Sequence, residues 1–232
     1  MILGVVITSY NNQETLASAI KSVASLKNKN KIYIVVIDDF SKDSSAHIAR
    51  QEKKNKQVDA ICLNKKNFGV SRSRNIGIEL CQHTDYITFL DGDDMILSGL
   101  SSALQQNFFY ADLITFKFNY VNNGFISENS FYKTSKELSR GDVKKYFYKY
   151  LNKPNKHSLF TTCWAKLYKT NMLLSNKNLR FNQELHLCED TEFVFRFLSY
   201  AKKVQYVNTP IYLHTLGSSK ENTAKLTFGV NL

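Results

Sequence analysis

Short continuous apolar runs alternate with segments of helical periodicity through the first half of the chain. Leu3 to Thr8 is a β-rich run that ends at Ser9-Tyr10-Asn11-Asn12. Between Thr15 and Leu26, the apolar residues Leu16, Ala19, Ile20, Val23 and Ala24 recur at helical spacing. Ile32 to Ile37 is a second buried-type run stopped by Asp38-Asp39, followed by a polar helix over about Ser44 to Lys54. A third strand is predicted from Val58 to Leu63, a turn at Asn67-Phe68-Gly69, and a helix from Ser71 to about Leu80. Tyr86 to Leu90 is a fourth strand, halted by Asp91-Gly92-Asp93-Asp94.

This alternation predicts an α/β fold, with a parallel sheet covered on both faces and joined by right-handed crossovers. In such sheets ligands bind outside the carboxyl ends of the strands. Those ends carry Thr8-Ser9-Tyr10, Asp38-Asp39 and Asp91-Gly92-Asp93, so three polar clusters fall on one edge.

The second half is less regular. A helix is predicted over Leu97 to Tyr110, a strand over Leu113 to Tyr120, a turn at Asn123-Gly124 and a return strand over Phe125 to Tyr132. Val143, Tyr146, Phe147, Tyr150 and Leu151 mark one face of a helix that carries Lys144, Lys145 and Lys149 on its other side. A further helix runs from Asp190 to about Ala201, with Phe193, Phe197 and Leu198 inward. Two late strands, Val204 to Val207 and Ile211 to His214, flank Pro210. The expected organisation is one domain over residues 1–215, with a nucleotide-binding half (about 1–97), an acceptor half (about 98–215) and a polar tail over 216–232.

Composition narrows the class. With 43% hydrophobic and 22% charged residues the chain is globular rather than disordered. No apolar run approaches the roughly 20 residues that cross a bilayer. Met1 to Ile7 lacks the basic lead and small-residue cleavage site of a signal peptide, so a cytoplasmic location is expected. Cys62, Cys81, Cys163 and Cys188 form no C-x-x-C pair, which argues against zinc and predicts reduced, partly buried thiols. The net charge of +11 favours anionic partners without choosing among them.

The candidate chemistry lies at the strand ends. Clustered carboxylates in Asp91-Gly92-Asp93-Asp94 repel one another unless a cation sits among them, and oxygen ligands suit Mg²⁺ or Mn²⁺ held jointly with a substrate diphosphate. A solvated acidic turn is the alternative. At Asp38-Asp39 an aspartate can accept from a nucleobase N–H or a sugar hydroxyl, or simply cap the following helix. Glu189-Asp190 opens a helix, where negative charge is favoured, and offers either a general base or an N-cap.

In order and surroundings these clusters resemble the GT-A-fold glycosyltransferases of family 2. The resemblance rests on Val5-Val6-Ile7-Thr8-Ser9-Tyr10-Asn11, on Val35 to Asp43, on Asn67 to Gly77 and on Phe89 to Asp94. Downstream, Trp164-Ala165-Lys166-Leu167-Tyr168, Arg180-Phe181 and Glu189 to Phe193 fit the acceptor half, so that nearly all of residues 2–214 is covered. It implies a Rossmann-like mixed sheet and inverting transfer of a hexose or N-acetylhexosamine from a nucleotide sugar, usually a uridine diphosphate sugar. Residue by residue it implies that Thr8, Tyr10 and Asp39 contact the nucleoside, with Arg74 close by. Asp91 and Asp93 match the D-x-D pair that bridges metal, ribose and diphosphate, with Asp94 as a candidate extra ligand. Asp190 matches the base and Glu189 is its neighbour. His214 stands where the family often has an arginine or histidine near the phosphates, as a third metal ligand or a strand cap.

Trp164, the only tryptophan, is a candidate platform for an acceptor sugar or a core residue. Lys136, Arg140, Lys144, Lys145, Lys149, Lys153 and Lys156 crowd one stretch with Tyr146, Phe147, Tyr148 and Tyr150. That mixture suits an anionic membrane surface presenting a lipid-linked acceptor, or a solvated basic face. The expected acceptor is a growing bacterial surface polysaccharide or oligosaccharide.

Three other classes compete. A haloacid-dehalogenase-type phosphatase or phosphotransferase also uses D-x-D after a strand, but after its first strand and followed by Thr or Val, where Met95 stands here. A receiver-type domain does not account for the downstream motifs. A nucleic-acid-binding module would use the charge and the 13% aromatics, yet none of its usual signatures is present.

Overall fold

The computed structural model describes residues 1–106, 110–122, 124–129, 131–153 and 159–216. Lys156, Asn123 and the tail beyond Leu216 lie outside the described residues. Four parallel strands form the first part of the sheet: β1 (Leu3–Ser9), β2 (Ile32–Asp38), β3 (Ala60–Leu63) and β4 (Tyr86–Asp91), in the order β3-β2-β1-β4. All seven residues of β1 are buried, as a central strand covered on both faces requires. Helices α1 (Leu16–Ala24), α2 (Ser45–Lys54) and α3 (Val70–Leu80) make the crossovers.

The sheet is mixed rather than wholly parallel. After β5 (Met95–Ile96), α4 (Gly99–Leu104), β6 (Leu113–Asn122), β7 (Phe125–Asn129), β8 (Lys136–Leu138) and α5 (Arg140–Asn152), the short strand β9 (Lys166–Lys169) inserts antiparallel between β4 and β6. Four residues with no period of their own carry no directional signal, so only tertiary pairing reveals β9. Helices α6 (Thr170–Ser175) and α7 (Glu189–Tyr200) and strand β10 (Val204–Leu216) complete the chain. The helix expected over Leu97 to Tyr110 is a shorter α4, preceded by the pairing of Met95 and Ile96 with Leu213 and Tyr212 of β10; residues 107–109 lie outside the described residues.

The two late strands expected around Pro210 are one. β10 runs parallel to β6 through Pro210, with register shifts on either side that absorb the missing N–H. One core lies under α1 and α2 and includes Leu16, Ile20 and Val36; the other lies under α3 and α7 and includes Val6, Ile78, Phe89 and Phe193. No described helix is long and apolar enough to cross a membrane.

Candidate active site

The register aligns the three polar strand ends. Thr8 of β1 sits opposite Asp91 of β4, and Ser9 sits opposite Asp38 of β2. Between these ends and the start of α3 lies a cleft of about 360 Å³, whose walls include Thr8, Tyr10, Asp39, Gly69, Asp91 and Asp93. Tyr10 is 48% exposed at its rim, whereas Thr8 and Asp39 are buried.

Asp38 and Asp39 have different tasks. Asp38 accepts from the Ser41 N–H at 3.0 Å and hydroxyl at 2.5 Å, which closes the loop after β2. Asp39 accepts from the Gly69 N–H at 2.7 Å, the Phe68 N–H at 3.0 Å and Asn64 Nδ2 at 2.7 Å, so it ties the turn before α3 to the cleft wall. Gly69 adopts φ 87°, left-handed backbone that a side chain would strain. Gly92 is required for a different reason. A Cβ there would lie 3.0 Å from Asn12 Oδ1 and from the Thr8 carbonyl, to which the Gly92 N–H donates at 2.8 Å.

Arg74 joins the two acidic motifs. Its Nη2 donates to Asp91 Oδ1 at 3.1 Å, and its Nη1 to Asp190 Oδ1 at 2.5 Å and Glu189 Oε1 at 3.2 Å. Burial opposes the guanidinium charge, but Asp190, Asp91 and Glu189 outweigh it and raise the Arg74 pKa above its ordinary value. Arg74, expected close to the nucleoside pocket, adjoins the cleft through Asp91, while Ser73 lines the cleft directly and the guanidinium also reaches Glu189 and Asp190. Asp190 is held at both oxygens, since Oδ2 accepts from the Cys163 N–H at 2.9 Å. It lies in the first turn of α7.

Buried Asp94 and half-buried His214 form a second unit. Asp94 accepts from the Tyr212 hydroxyl at 2.6 Å and the Thr215 N–H at 2.8 Å, and faces His214 Nδ1 at 3.0 Å. With its carboxylate engaged by three partners, Asp94 is a strut between β4 and β10 rather than an open ligand. Burial disfavours charge on His214, yet the Asp94 contact prevails and raises its pKa. Nδ1 being occupied, Nε2 is the ring atom left for a ligand. Trp164 requires a correction. Only 5% exposed, it stacks on Tyr212 at 4.5 Å and His214 at 5.0 Å and meets the edge of Phe118 at 4.7 Å, so the ring expected to face an acceptor sugar is part of the core. Among the thiols, Cys81 and Cys163 are buried and Cys62 half-buried, but Cys188 is exposed, against the expectation of partial burial.

One buried cation escaped the sequence reading. Lys166 is 1% exposed, and its Nζ faces the Trp164 carbonyl at 3.3 Å and Thr162 Oγ1 at 3.4 Å. Burial pushes its pKa down to about 7, opposed by Cys163 and Asp190. It closes the turn that presents the Cys163 N–H to Asp190, in which Ala165 is left-handed at φ 53° and Tyr168 donates to the Cys163 carbonyl at 3.0 Å. The available signal was a lysine inside the otherwise apolar Trp164-Ala165-Lys166-Leu167-Tyr168.

The donor set fits a hard divalent cation only in part. Among the described residues no group of three or more His, Cys, Asp or Glu side chains is arranged to hold a metal. However, burial pushes Asp91 up to about 6, and Asp94, Asp190 and Asp93 add to the effect against Arg74. That surplus of negative charge suits a cation held by Asp91 and Asp93 and completed by a ligand's own oxygens.

Comparison with known proteins agrees with this geometry. Residues 4–174 match the model of the family described as glycosyl transferase family 2. The chain is 29% identical over 219 residues to a cholesterol galactosyltransferase of Borreliella burgdorferi, covering 90% of this chain and 59% of that protein. It is 21% identical over 219 residues to the poly(ribitol-phosphate) beta-N-acetylglucosaminyltransferase TarS of Staphylococcus aureus, covering 92% of this chain and 35% of that protein. A crystal structure of S. aureus TarS residues 1–349 with UDP-GlcNAc superposes with a TM-score of 0.76 at 19% identity, covering 97% of this chain and 61% of that one. The chain thus spans between 35% and 61% of the length of these relatives. The mixed sheet, with acidic residues at and just after the end of β4 and at the start of α7, has the GT-A fold of these structures, and the chain belongs to glycosyl transferase family 2.

Proposed function

We propose that the cleft binds a uridine diphosphate sugar and that the chain transfers its hexose or N-acetylhexosamine, with inversion, to a hydroxyl of a growing surface polysaccharide or oligosaccharide. The observation that carries this reading is the meeting of Asp91, Glu189 and Asp190 on the single Arg74 guanidinium, beside the cleft walled by Thr8 and Asp39. Thr8, Tyr10 and Asp39 face the nucleoside, and Asp91 with Asp93 faces the diphosphate. Asp91 and Asp93, with His214 Nε2 as a candidate third protein ligand, would hold a Mg²⁺ or Mn²⁺ ion, which would supply neutralisation of the charge that grows on the departing diphosphate.

Asp190 accepts the proton of the acceptor hydroxyl as that oxygen attacks from the opposite face. Oδ1 accepts from Arg74 and Oδ2 from the Cys163 amide, and a carboxylate has roughly four lone-pair sites, which leaves room for this proton. Arg74 and the Cys163 amide hold the carboxylate still, which favours a productive alignment. Glu189 shares Arg74 and keeps negative charge near an oxocarbenium-like transition state. The relatives' names support a galactosyl or N-acetylglucosaminyl group as the sugar and, for TarS, a polymer, poly(ribitol-phosphate), as the acceptor, whereas the Borreliella burgdorferi relative is named for cholesterol. The TarS complex supports a uridine diphosphate donor. We place the reaction on the cytoplasmic side, with the basic stretch around α5 toward an anionic membrane and a lipid-linked acceptor.

The test is acceptor-dependent release of uridine diphosphate from a panel of UDP-sugars with Mn²⁺. Asp190→Asn is expected to bind donor as the wild type does while turnover falls about 100- to 10,000-fold. Undiminished turnover in Asp190→Asn overturns the base assignment, and failure of the wild type to bind any UDP-sugar overturns the reading itself.

A further inference from the structure

Helix α5 uses two faces. Tyr146 turns inward against Phe160 at 4.9 Å between ring centroids, and a Ser139–Asp142 capping box starts the helix. On another face Lys144, Phe147, Tyr148 and Leu151 follow one another at helical spacing, with Phe147 37%, Tyr148 54% and Leu151 58% exposed. Side chains this apolar and this exposed are unusual on a helix that already has a core face.

Beside that stripe α5 and α7 enclose a groove of about 500 Å³. Its floor is apolar, with Leu138, Val143, Phe195 and Leu198, and Phe147 stands edge-on to Phe195 at 4.9 Å. The charged side chains on its walls are Arg140, Lys144 and Lys202, all cationic. Lys145, Lys149, Lys153 and Lys203 are exposed nearby, against Glu137, Asp142 and Asp112, the last accepting from the Lys202 and Lys203 amides.

We propose that this groove and the α5 stripe form a seat for an anionic phospholipid bilayer, with Phe147, Tyr148 and Leu151 entering the interface and Arg140, Lys144 and Lys202 meeting lipid phosphates. An apolar floor inside a wholly cationic rim matches an amphiphile with a negative head group, and aromatic and leucine side chains flanked by lysines are the pattern of an interfacial helix. A soluble acidic partner would use the rim but leaves the exposed apolar stripe unexplained. The seat lies on the same helix as Asp190. From Asp190 to Ser199 is roughly 13 Å along the axis, and the groove lies beside Val204 at the start of β10, so the bilayer meets the molecule at the end of α7 away from Asp190. The proposal extends the proposed transfer reaction but does not depend on it, because binding is measured without turnover.

The test is co-sedimentation of the full chain with vesicles of phosphatidylglycerol and phosphatidylcholine, and with phosphatidylcholine alone. Binding is expected only to the anionic vesicles. Lys144→Gln with Lys202→Gln is expected to weaken it about 30-fold, and Phe147→Ser or Leu151→Ser about 10-fold. Removing the same charge at Lys29 and Lys54, on the opposite face of the sheet, is expected to leave binding unchanged. Absence of binding to anionic vesicles overturns the proposal, as does an equal loss in the Lys29, Lys54 variant or full binding by both Phe147→Ser and Leu151→Ser. UDP-sugar binding by each variant is measured in parallel to confirm folding.

Discussion

Arg74 on α3 and Asp190 on α7 are separated by 116 residues in the chain, yet their side chains meet at 2.5 Å. The same guanidinium reaches Asp91 and Glu189, so one buried cation balances three carboxylates from two motifs. Arg74→Met leaves those carboxylates without their counter-charge. The expected cost is about 3–5 kcal/mol of unfolding free energy by denaturant titration, with loss of transfer. Arg74→Lys is expected to recover only part of both, because an ammonium cannot reproduce the planar fork that spans both motifs.

Chelation tests the cation expected beside Asp91 and Asp93. With EDTA, UDP-sugar binding and turnover are both expected to fall, and added Mn²⁺ to restore them. Asp93→Ala is expected to weaken donor binding and to abolish its response to Mn²⁺. Unchanged Mn²⁺ dependence in that variant would remove Asp93 from the ligand set.

Gly92 packs tightly against the end of β1 and the loop after it. Gly92→Ala places a methyl group 3.0 Å from the Thr8 carbonyl and from Asn12 Oδ1. Backbone displacement there is expected to cost about 1–3 kcal/mol and to raise the donor dissociation constant, measured by thermal unfolding and by titration with UDP.

Lys166 makes stability depend on pH in a definite direction. Its pKa is about 7 in the folded protein, against about 10.4 for an unfolded lysine. Between those values the unfolded chain holds a proton that the native Lys166 has released, so this residue's contribution to stability rises with pH, by about 1.4 kcal/mol per unit well inside the window. Buried tyrosines and thiols such as Tyr146 and Cys81, whose pKa values burial raises, act in the opposite direction above pH 9. They are common to wild type and Lys166→Met, so the difference between the two curves isolates the lysine. It is expected to grow in favour of the wild type from pH 7 to 9, measured by urea titration.

Much of the fold and site is legible in the residues themselves. The β1, β2 and β4 runs, their polar terminations and the helices between them follow from local hydrophobic periodicity. Because parallel strands start from one edge, Thr8, Asp39 and Asp91 had to fall together. Glu189-Asp190 was recognisable as a helix start, and Gly69 as a turn residue that tolerates positive φ.

Other features depend on partners distant in sequence, and no local pattern encodes those. Lys166–Lys169 becomes an antiparallel strand because β4 and β6 offer it hydrogen bonds, and β10 continues through Pro210 because β6 supports it on both sides. Trp164 became core once Tyr212 and His214 closed on its ring, and Asp94 a strut once β10 brought three partners to its carboxylate. Sequence alone thus determined which polar residues end the strands, since alternation of apolar runs and breaks is a local property. Which carboxylate stays open and which is tied down, and which arginine joins them, only the tertiary structure decided, because desolvation and ion pairing depend on what packs alongside.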